Sequence, residues 1–160
     1  METIVEVLLW LYVLDLSLVL GAGLYEARIE VPRWLARGGG TWHWDRAAAV
    51  RADVGLRFWV YASTFPLTLL TLGSALVLAG TPPPVRLVWA GSVAVVVLER
   101  VATFGYFIPT MIRLTRAAPR PDDAAVARRW VRCNHARHVA NLVAWVLAVQ
   151  AFAAWARTGG

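Results

Sequence analysis

The sequence predicts an all-α fold: an integral membrane four-helix bundle that forms a single domain over residues 1–160. The composition is too apolar for an ordinary soluble domain, since 59% of the residues are hydrophobic and only 16% are charged. Four apolar segments are each long enough to cross a bilayer, which takes about 20 helical residues. Helices are expected because a lone hydrophobic hairpin would leave backbone groups unpaired in lipid.

The predicted spans cover about residues 3–27, 58–79, 85–107 and 136–156. The segment "GTPPPVR" forms a tight turn between the second and third spans, because its prolines cannot continue a helix. The segments "RGGGTW" and "APRPDDAAVARRW" interrupt the two long loops. We expect Asp122 or Asp123 to cap the last helix, which continues from about Ala124 to Trp155. Pro66 is expected to kink the second helix.

The basic residues predict the orientation of the chain. All 16 are arginines, and the segments 28–57 and 113–132 hold six each. The positive-inside rule then places both long loops in the cytoplasm and both termini outside, in a multi-pass protein of the cell (inner) membrane. Because these arginines lie between apolar segments, topology explains them better than nucleic-acid binding. The expected partners are the lipid bilayer and an apolar small molecule. The sequence does not decide whether the chain forms a homo-oligomer.

Ionisable residues inside the spans indicate either the interior of the bundle or a site, because at membrane depth they cost several kcal/mol unless paired or hydrated. Asp15 and Glu26 share one face of the first helix. Glu99 lies on a polar stripe of the third helix with Tyr106. We expect Glu99 to pair with Arg137 of the last helix, since the adjacent Arg100 points about 100° away and serves another partner.

Polar stripes also run along the second and fourth helices. The second carries Arg57, Tyr61, Thr64, Thr68 and Thr71 at helical spacing, and this stripe is predicted to face inward. The fourth carries a face formed by Trp130, Asn134, Arg137 and Asn141, with His138 at its border. Since the chain direction alternates, these groups all reach the cytoplasmic half of the bilayer. The convergence predicts a polar functional cavity, although a purely structural polar layer is the alternative.

Two segments resemble a known family. The stretch "RRWVRCNHARHVANLVAW" is similar to the last helix of the anthrone oxygenase-like family of small four-helix integral membrane proteins. That helix carries Trp and then Asn-x-x-Arg, a pattern that falls on Trp130, Asn134 and Arg137. The segment "FGYFIPTMIRL" resembles the exit of the family's third helix. Met111 stands where the family usually has Asn, so any role of that Asn is absent or moved.

The resemblance implies a cofactor-independent monooxygenase that converts an anthrone-like aromatic molecule into a quinone. A base such as His138 or Glu99 would remove the acidic C–H proton. Arg137, Asn134 and Asn141 would hold the resulting oxyanion. Other residues would contact the substrate, namely Tyr61, Tyr106, Glu26 and Trp130.

Two alternatives remain at this stage. His135 and His138, three residues apart, suit the edge of a metal or haem site to which His43 would add a third nitrogen. The single cysteine, Cys133, excludes an intramolecular disulfide and a Cys-based zinc site. The other alternative is not an enzyme but a membrane protein that binds a lipid, a quinone or a partner chain.

Overall fold

The computed structural model describes residues 2–158. Helix α1 covers Glu2–Trp34 and leads into a hairpin of strands β1 (Leu35–Gly38) and β2 (Thr41–Trp44). A short helix, α2 (Arg46–Ala52), follows, and then three long helices: α3 (Gly55–Gly80), α4 (Pro83–Arg116) and α5 (Asp123–Arg157). The four long helices are long and apolar enough to cross a membrane, so the prediction of a helical fold with four candidate spans is confirmed.

Both long loops lie at the same end of the helices. The Arg46 guanidinium, at the start of α2, donates from Nε and Nη2 to the Thr115 carbonyl of α4, at 3.0 and 2.7 Å, and also bonds to the Ala117 carbonyl. We call this end, which carries the hairpin, the loop end. The opposite end carries both ends of the described chain and the turn between α3 and α4, and we call it the terminal end.

The start of α5 agrees with the prediction, but the predicted cap is wrong. Asp122 occupies the capping position without a side-chain bond to the helix. Its carboxylate instead accepts hydrogen bonds from Arg113, both at 2.9 Å. The carboxylate of Asp123 accepts from the Arg120 backbone N–H at 2.9 Å. The arginine-rich loop therefore takes up both carboxylates that could have capped α5.

The terminal half of the bundle has an apolar core. Its centre is built from Leu9 and Leu16 of α1, Trp89 of α4, and three alanines of α5, at positions 144, 148 and 151. Small residues let helices approach closely, and close packing is what holds membrane helices together. We call this region the dry core.

Wide, π-helical turns interrupt three of the long helices in the loop-end half. They cover Glu26–Glu30, Gly55–Thr64 and Thr103–Phe107. In each case a proline follows two residues later, at positions 32, 66 and 109. A proline has no N–H to donate, and its ring collides with the carbonyl four residues earlier, so an α-helical turn is disfavoured there. The wide turn, with i→i+5 bonding, moves that carbonyl away.

The β-hairpin was not predicted. Gly39 and Gly40 form its two-residue turn with φ of +57° and +83°, a conformation that favours glycine. Trp44 of β2 packs edge-to-face on Trp34 at a centroid distance of 5.4 Å, and Trp34 packs in turn on Trp130 of α5. These aromatic contacts hold the hairpin against the loop end of the bundle.

Candidate functional site

The candidate site lies between the dry core and the aromatic contacts of the loop end. All four long helices contribute to it, and three of them do so from a wide turn or from the residues beside one. We call this group of side chains the polar cluster. Its members are Glu26 of α1, Trp59 and Ser63 of α3, Glu99 and Arg100 of α4, and Asn134, Arg137, His138 and Asn141 of α5.

Glu99 and Arg100 form the central ion pair, which corrects the prediction that Arg100 serves another partner. Arg100 Nη2 and Nε lie 2.5 and 2.6 Å from Glu99 Oε2, and the guanidinium also donates to Ser63. A long Arg side chain can bend back along its own helix, so the angle between the Cα–Cβ directions did not decide the pairing.

The predicted contact between Glu99 and Arg137 is present but weaker. Arg137 Nε lies 3.9 Å from Glu99 Oε1, which is beyond hydrogen-bond distance. That oxygen accepts instead from the Thr103 hydroxyl at 2.8 Å. The Arg137 guanidinium lies over the Phe107 ring at 4.6 Å and near the Trp59 ring at 5.8 Å, in cation–π geometry.

Glu26 forms a second buried carboxylate site on α1. Trp59 Nε1 donates to Glu26 Oε1 at 2.9 Å, and Asn134 Nδ2 lies 3.5 Å from Oε2. No cation is within ion-pair distance of Glu26 among residues 2–158. Its carboxylate is thus less fully engaged than that of Glu99, and it lies beside a groove of about 490 Å³.

His138 connects to Glu26 through Asn134. Its Nε2 lies 3.2 Å from Asn134 Nδ2, and the opposite side of its ring packs on Gly23 of α1. A Cβ atom at position 23 would lie 2.6 Å from His138 Nδ1, closer than real side-chain atoms approach. The glycine at this position therefore gives the imidazole its place between α1 and α5.

Several buried polar atoms of the cluster have no hydrogen-bond partner within residues 2–158. They are Arg137 Nε, Asn134 Oδ1 and Asn141 Oδ1; outside the cluster, on its terminal side, Oδ2 of Asp15 also has no partner. Buried polar groups without partners are uncommon in folded proteins and need an explanation. One donor and two acceptors in one cluster are able to bind a polar molecule.

The space around the cluster is of two kinds. A narrow cavity of about 90 Å³ lies between α3, α4 and α5, and a groove of about 490 Å³ lies between α1, α2 and α3. We call the latter the lateral groove. Apolar and aromatic side chains form most of its lining, including Leu18, Tyr25 and Phe58, while Glu26 and Trp59 lie where it meets the polar cluster. Its volume falls within the range of small-molecule sites, about 300–1,000 Å³.

Two predicted substrate-contacting residues lie elsewhere. Tyr61 points away from the bundle and is 74% exposed, so the inward stripe predicted for the second helix is wrong at its loop end. The reason is the wide turn over Gly55–Thr64, which changes the angular spacing and turns Trp59 and Ser63 inward instead. Tyr106 packs with Cys133 around the loop-end aromatic contacts rather than in the polar cluster.

Trp130 borders the narrow cavity, but its indole N–H is engaged. It donates to the Phe107 carbonyl at 3.1 Å, and both rings pack against each other. Trp130 thus closes the loop-end side of the polar cluster.

Three of the cluster's residues were not predicted as site residues, namely Trp59, Ser63 and Arg100. The sequence alone does not indicate that Trp59 contacts Glu26, because this contact depends on the wide turn at the start of α3.

The histidines do not form a metal site with other described residues. His135 and His138 have ring centroids 6.3 Å apart, and His135 is exposed. Within residues 2–158 no group of three or more His, Cys, Asp or Glu side chains is placed to hold a metal ion. The arrangement of the cluster therefore favours acid–base and hydrogen-bond chemistry over ligation by these side chains.

No protein-family model, curated protein or solved structure matches this chain.

Proposed function

We propose that this chain is a multi-pass protein of the cell membrane with its loop end in the cytoplasm, and that it acts on a flat, apolar aromatic molecule bound in the lateral groove. The uneven arginine distribution supports this orientation, with both termini outside. The reaction we propose is the oxygenation of an anthrone-like carbon acid, as expected for a relative of the anthrone oxygenase-like proteins.

One observation carries the proposal: a buried carboxylate without a cationic partner lies at the inner wall of an apolar groove large enough for a small molecule. A general base must reach the proton that it removes, at about 2.6–3.2 Å. Glu26 lines the lateral groove, and its Oε2 has only a long, 3.5 Å contact with Asn134 Nδ2, so this oxygen can accept a proton from a molecule there. Glu99 cannot, because Arg100 and Thr103 occupy both its oxygens. We therefore move the role of base from Glu99 and His138 to Glu26.

The reaction balances with O₂ as the only oxidant. Glu26 takes one proton from the methylene carbon beside the aromatic rings, the anion that forms adds O₂, and the resulting peroxide takes this proton back from Glu26 to become a hydroperoxide. Loss of water then converts this carbon into a carbonyl, so one oxygen atom stays in the quinone and the other leaves as water. Arg137, which lines the narrow cavity together with Glu26, supplies the positive charge that favours an anionic substrate.

Asn134 and His138 act as positioning residues in this scheme. Asn134 bridges Glu26 and His138, so it fixes the orientation of the carboxylate. Asn141 lines the deepest part of the cluster with His138 and presents a free amide oxygen. Tyr61 and Tyr106 have no part in the proposal, because neither faces the polar cluster.

The test uses the purified protein in detergent with anthrone and air. Glu26→Gln keeps the shape of the side chain and removes the base, so we expect the rate of quinone formation to fall by about 100-fold or more. The matched control is Glu6→Gln, an exposed glutamate at the terminal end of the same helix, which should leave the rate unchanged. Full activity of Glu26→Gln with bound anthrone would contradict the assignment.

A second candidate function is non-catalytic binding of a lipid or quinone in the same groove. The pairing of Glu99 with Arg100 favours it, because this guanidinium also bonds to Ser63 of α3 and thus links two helices without offering a reactive group. In this case the purified protein binds anthrone or a quinone, but anthrone is oxygenated no faster than in buffer without protein. Equilibrium binding measured beside the rate separates the two functions.

A further inference from the structure

A second groove lies on another side of the loop end, between α1, the β-hairpin and α5. Its volume is about 330 Å³, and we call it the arginine groove. We propose that it binds one anionic phospholipid, with the phosphate on the arginines of α5 and the start of an acyl chain on the apolar floor. This proposal does not depend on the function of the polar cluster, because the two sites share no residue.

The polar side of the arginine groove is a row on α5. Arg128, Arg132 and His135 follow at helical spacing and line the same groove, and all three are exposed. Within residues 2–158 the two guanidinium groups make no hydrogen bond or ion pair with protein. No acidic side chain lines the groove. Two unpaired guanidinium groups in one row are suited to a phosphate, which they bind through charge-assisted hydrogen bonds.

The floor of the groove is apolar. Ala27, Val31 and Leu35 from α1 and β1 face Val131 of α5 across it. Trp42 of the hairpin also lines the groove and is exposed. Tryptophan is enriched where the hydrocarbon region meets the headgroups, because its ring is apolar and its N–H is polar.

This combination identifies the occupant. A free phosphate ion would use the arginines and leave the apolar floor exposed, whereas a phospholipid uses both. Basic pockets beside membrane helices on the cytoplasmic side bind anionic headgroups in this way. The lateral groove provides the contrast within the same molecule, since two glutamates line it and it would repel an anionic headgroup.

Native mass spectrometry can test the proposal on the full chain. The protein is released from a non-ionic detergent in the presence of equal amounts of phosphatidylglycerol and phosphatidylcholine. We expect one phosphatidylglycerol to be retained selectively. Each arginine near an anionic surface contributes about 1 kcal/mol, so Arg128→Gln and Arg132→Gln should each weaken retention by roughly fivefold, and together by roughly thirtyfold.

The chain offers a matched control in the neighbouring arginines. The double variant Arg116→Gln/Arg129→Gln removes the same charge from exposed loop-end positions outside the groove. It should change retention by less than about twofold. Equal loss in both double variants would overturn the proposal, because it would indicate general surface attraction. Displacement of the lipid by millimolar inorganic phosphate would also overturn it. If the double groove variant cannot be purified, the two single variants decide the outcome.

Discussion

The dry core and the polar cluster are neighbouring layers of the same helices, yet they are built by opposite means. In the dry core the helices are regular, and alanines of α5 receive the large side chains of α1 and α4. In the polar cluster three helices widen ahead of a proline, and charged side chains meet between them. Close packing holds the first layer, whereas hydrogen bonds between helices, such as those from Arg100 of α4 to Ser63 of α3 and from Trp59 to Glu26, hold the second.

This difference between the two layers indicates where the molecule can bind a ligand. The close-packed layer leaves unpartnered only isolated groups such as the Trp89 indole N–H, whereas the wide turns move backbone aside and bring Trp59, Glu26 and Glu99 to one level. The unpartnered atoms Asn134 Oδ1, Asn141 Oδ1 and Arg137 Nε all belong to the polar cluster. Two substitutions test the polar layer and a third tests a site outside both layers, in order of decreasing expected effect.

Arg100→Met should have the largest effect. It leaves Glu99 buried without its close partner, and breaking a buried ion pair typically costs about 3–5 kcal/mol of unfolding free energy. The control on the same helix is Arg86→Met, an exposed arginine at the terminal end, which should change stability by less than about 0.5 kcal/mol. Reversible denaturant unfolding in detergent measures both.

The double variant Glu99→Leu/Arg100→Met sharpens this prediction. Since apolar replacement of both partners of a buried pair is often neutral, it should recover much of the lost stability. A loss below about 1 kcal/mol in Arg100→Met alone would show that the ion pair does not hold the polar layer.

Gly23→Ala should have an intermediate effect, because the new methyl group would collide with the His138 ring. Overpacking of this kind costs about 1–3 kcal/mol. Gly21→Ala is the matched control: nothing lies within 4 Å of a Cβ at that position, so the higher helix propensity of alanine should leave stability equal or raised by up to about 1 kcal/mol. Adding His138→Ala to Gly23→Ala should restore stability; failure to do so would place the collision elsewhere.

The smallest effect concerns Asp122, which lies outside both layers. The hydrogen bond from Arg113 holds the pKa of this exposed carboxyl below its ordinary value. A lowered folded-state pKa stabilises the protein above the unfolded-state pKa of about 3.9, and this contribution is lost as the pH falls through the folded-state value. The difference in melting temperature between the wild type and Asp122→Asn should therefore be small at pH 7 and decrease as the pH falls below about 4. A difference that grows on acidification would contradict this.

The sequence predicts the four long helices well, because long apolar runs and proline-rich turns depend on local chemistry alone. It also predicts that Glu26, Glu99 and Asn134 reach one level, since alternating helix direction fixes their depth. It fails at Tyr61, because the α-helical spacing used to assign faces does not apply within a wide turn. The proline at position 66 was the available signal, and the same pattern recurs at positions 32 and 109.

Two other differences have local causes. The pairing of Glu99 depends on how the Arg100 side chain bends, and backbone geometry does not determine this. The hairpin had only a weak signal in "LARGGGTWHW", where two glycines separate short strands. Because each strand is only four residues long, the sequence pattern does not distinguish this hairpin from a loop.

The three wide turns also determine which side chains face the bundle on either side of each turn. Because each wide turn closes its hydrogen bond one residue later than an α-helical turn, everything beyond it is rotated by about 100° relative to a continuous α-helix. The loop-end surfaces of α1, α3 and α4 are thus oriented independently of the layer that packs the helices together, whereas the arginine row of α5, which has no wide turn, is continuous with that layer. A single-residue deletion in a wide turn would rotate one such surface and leave the dry core in register.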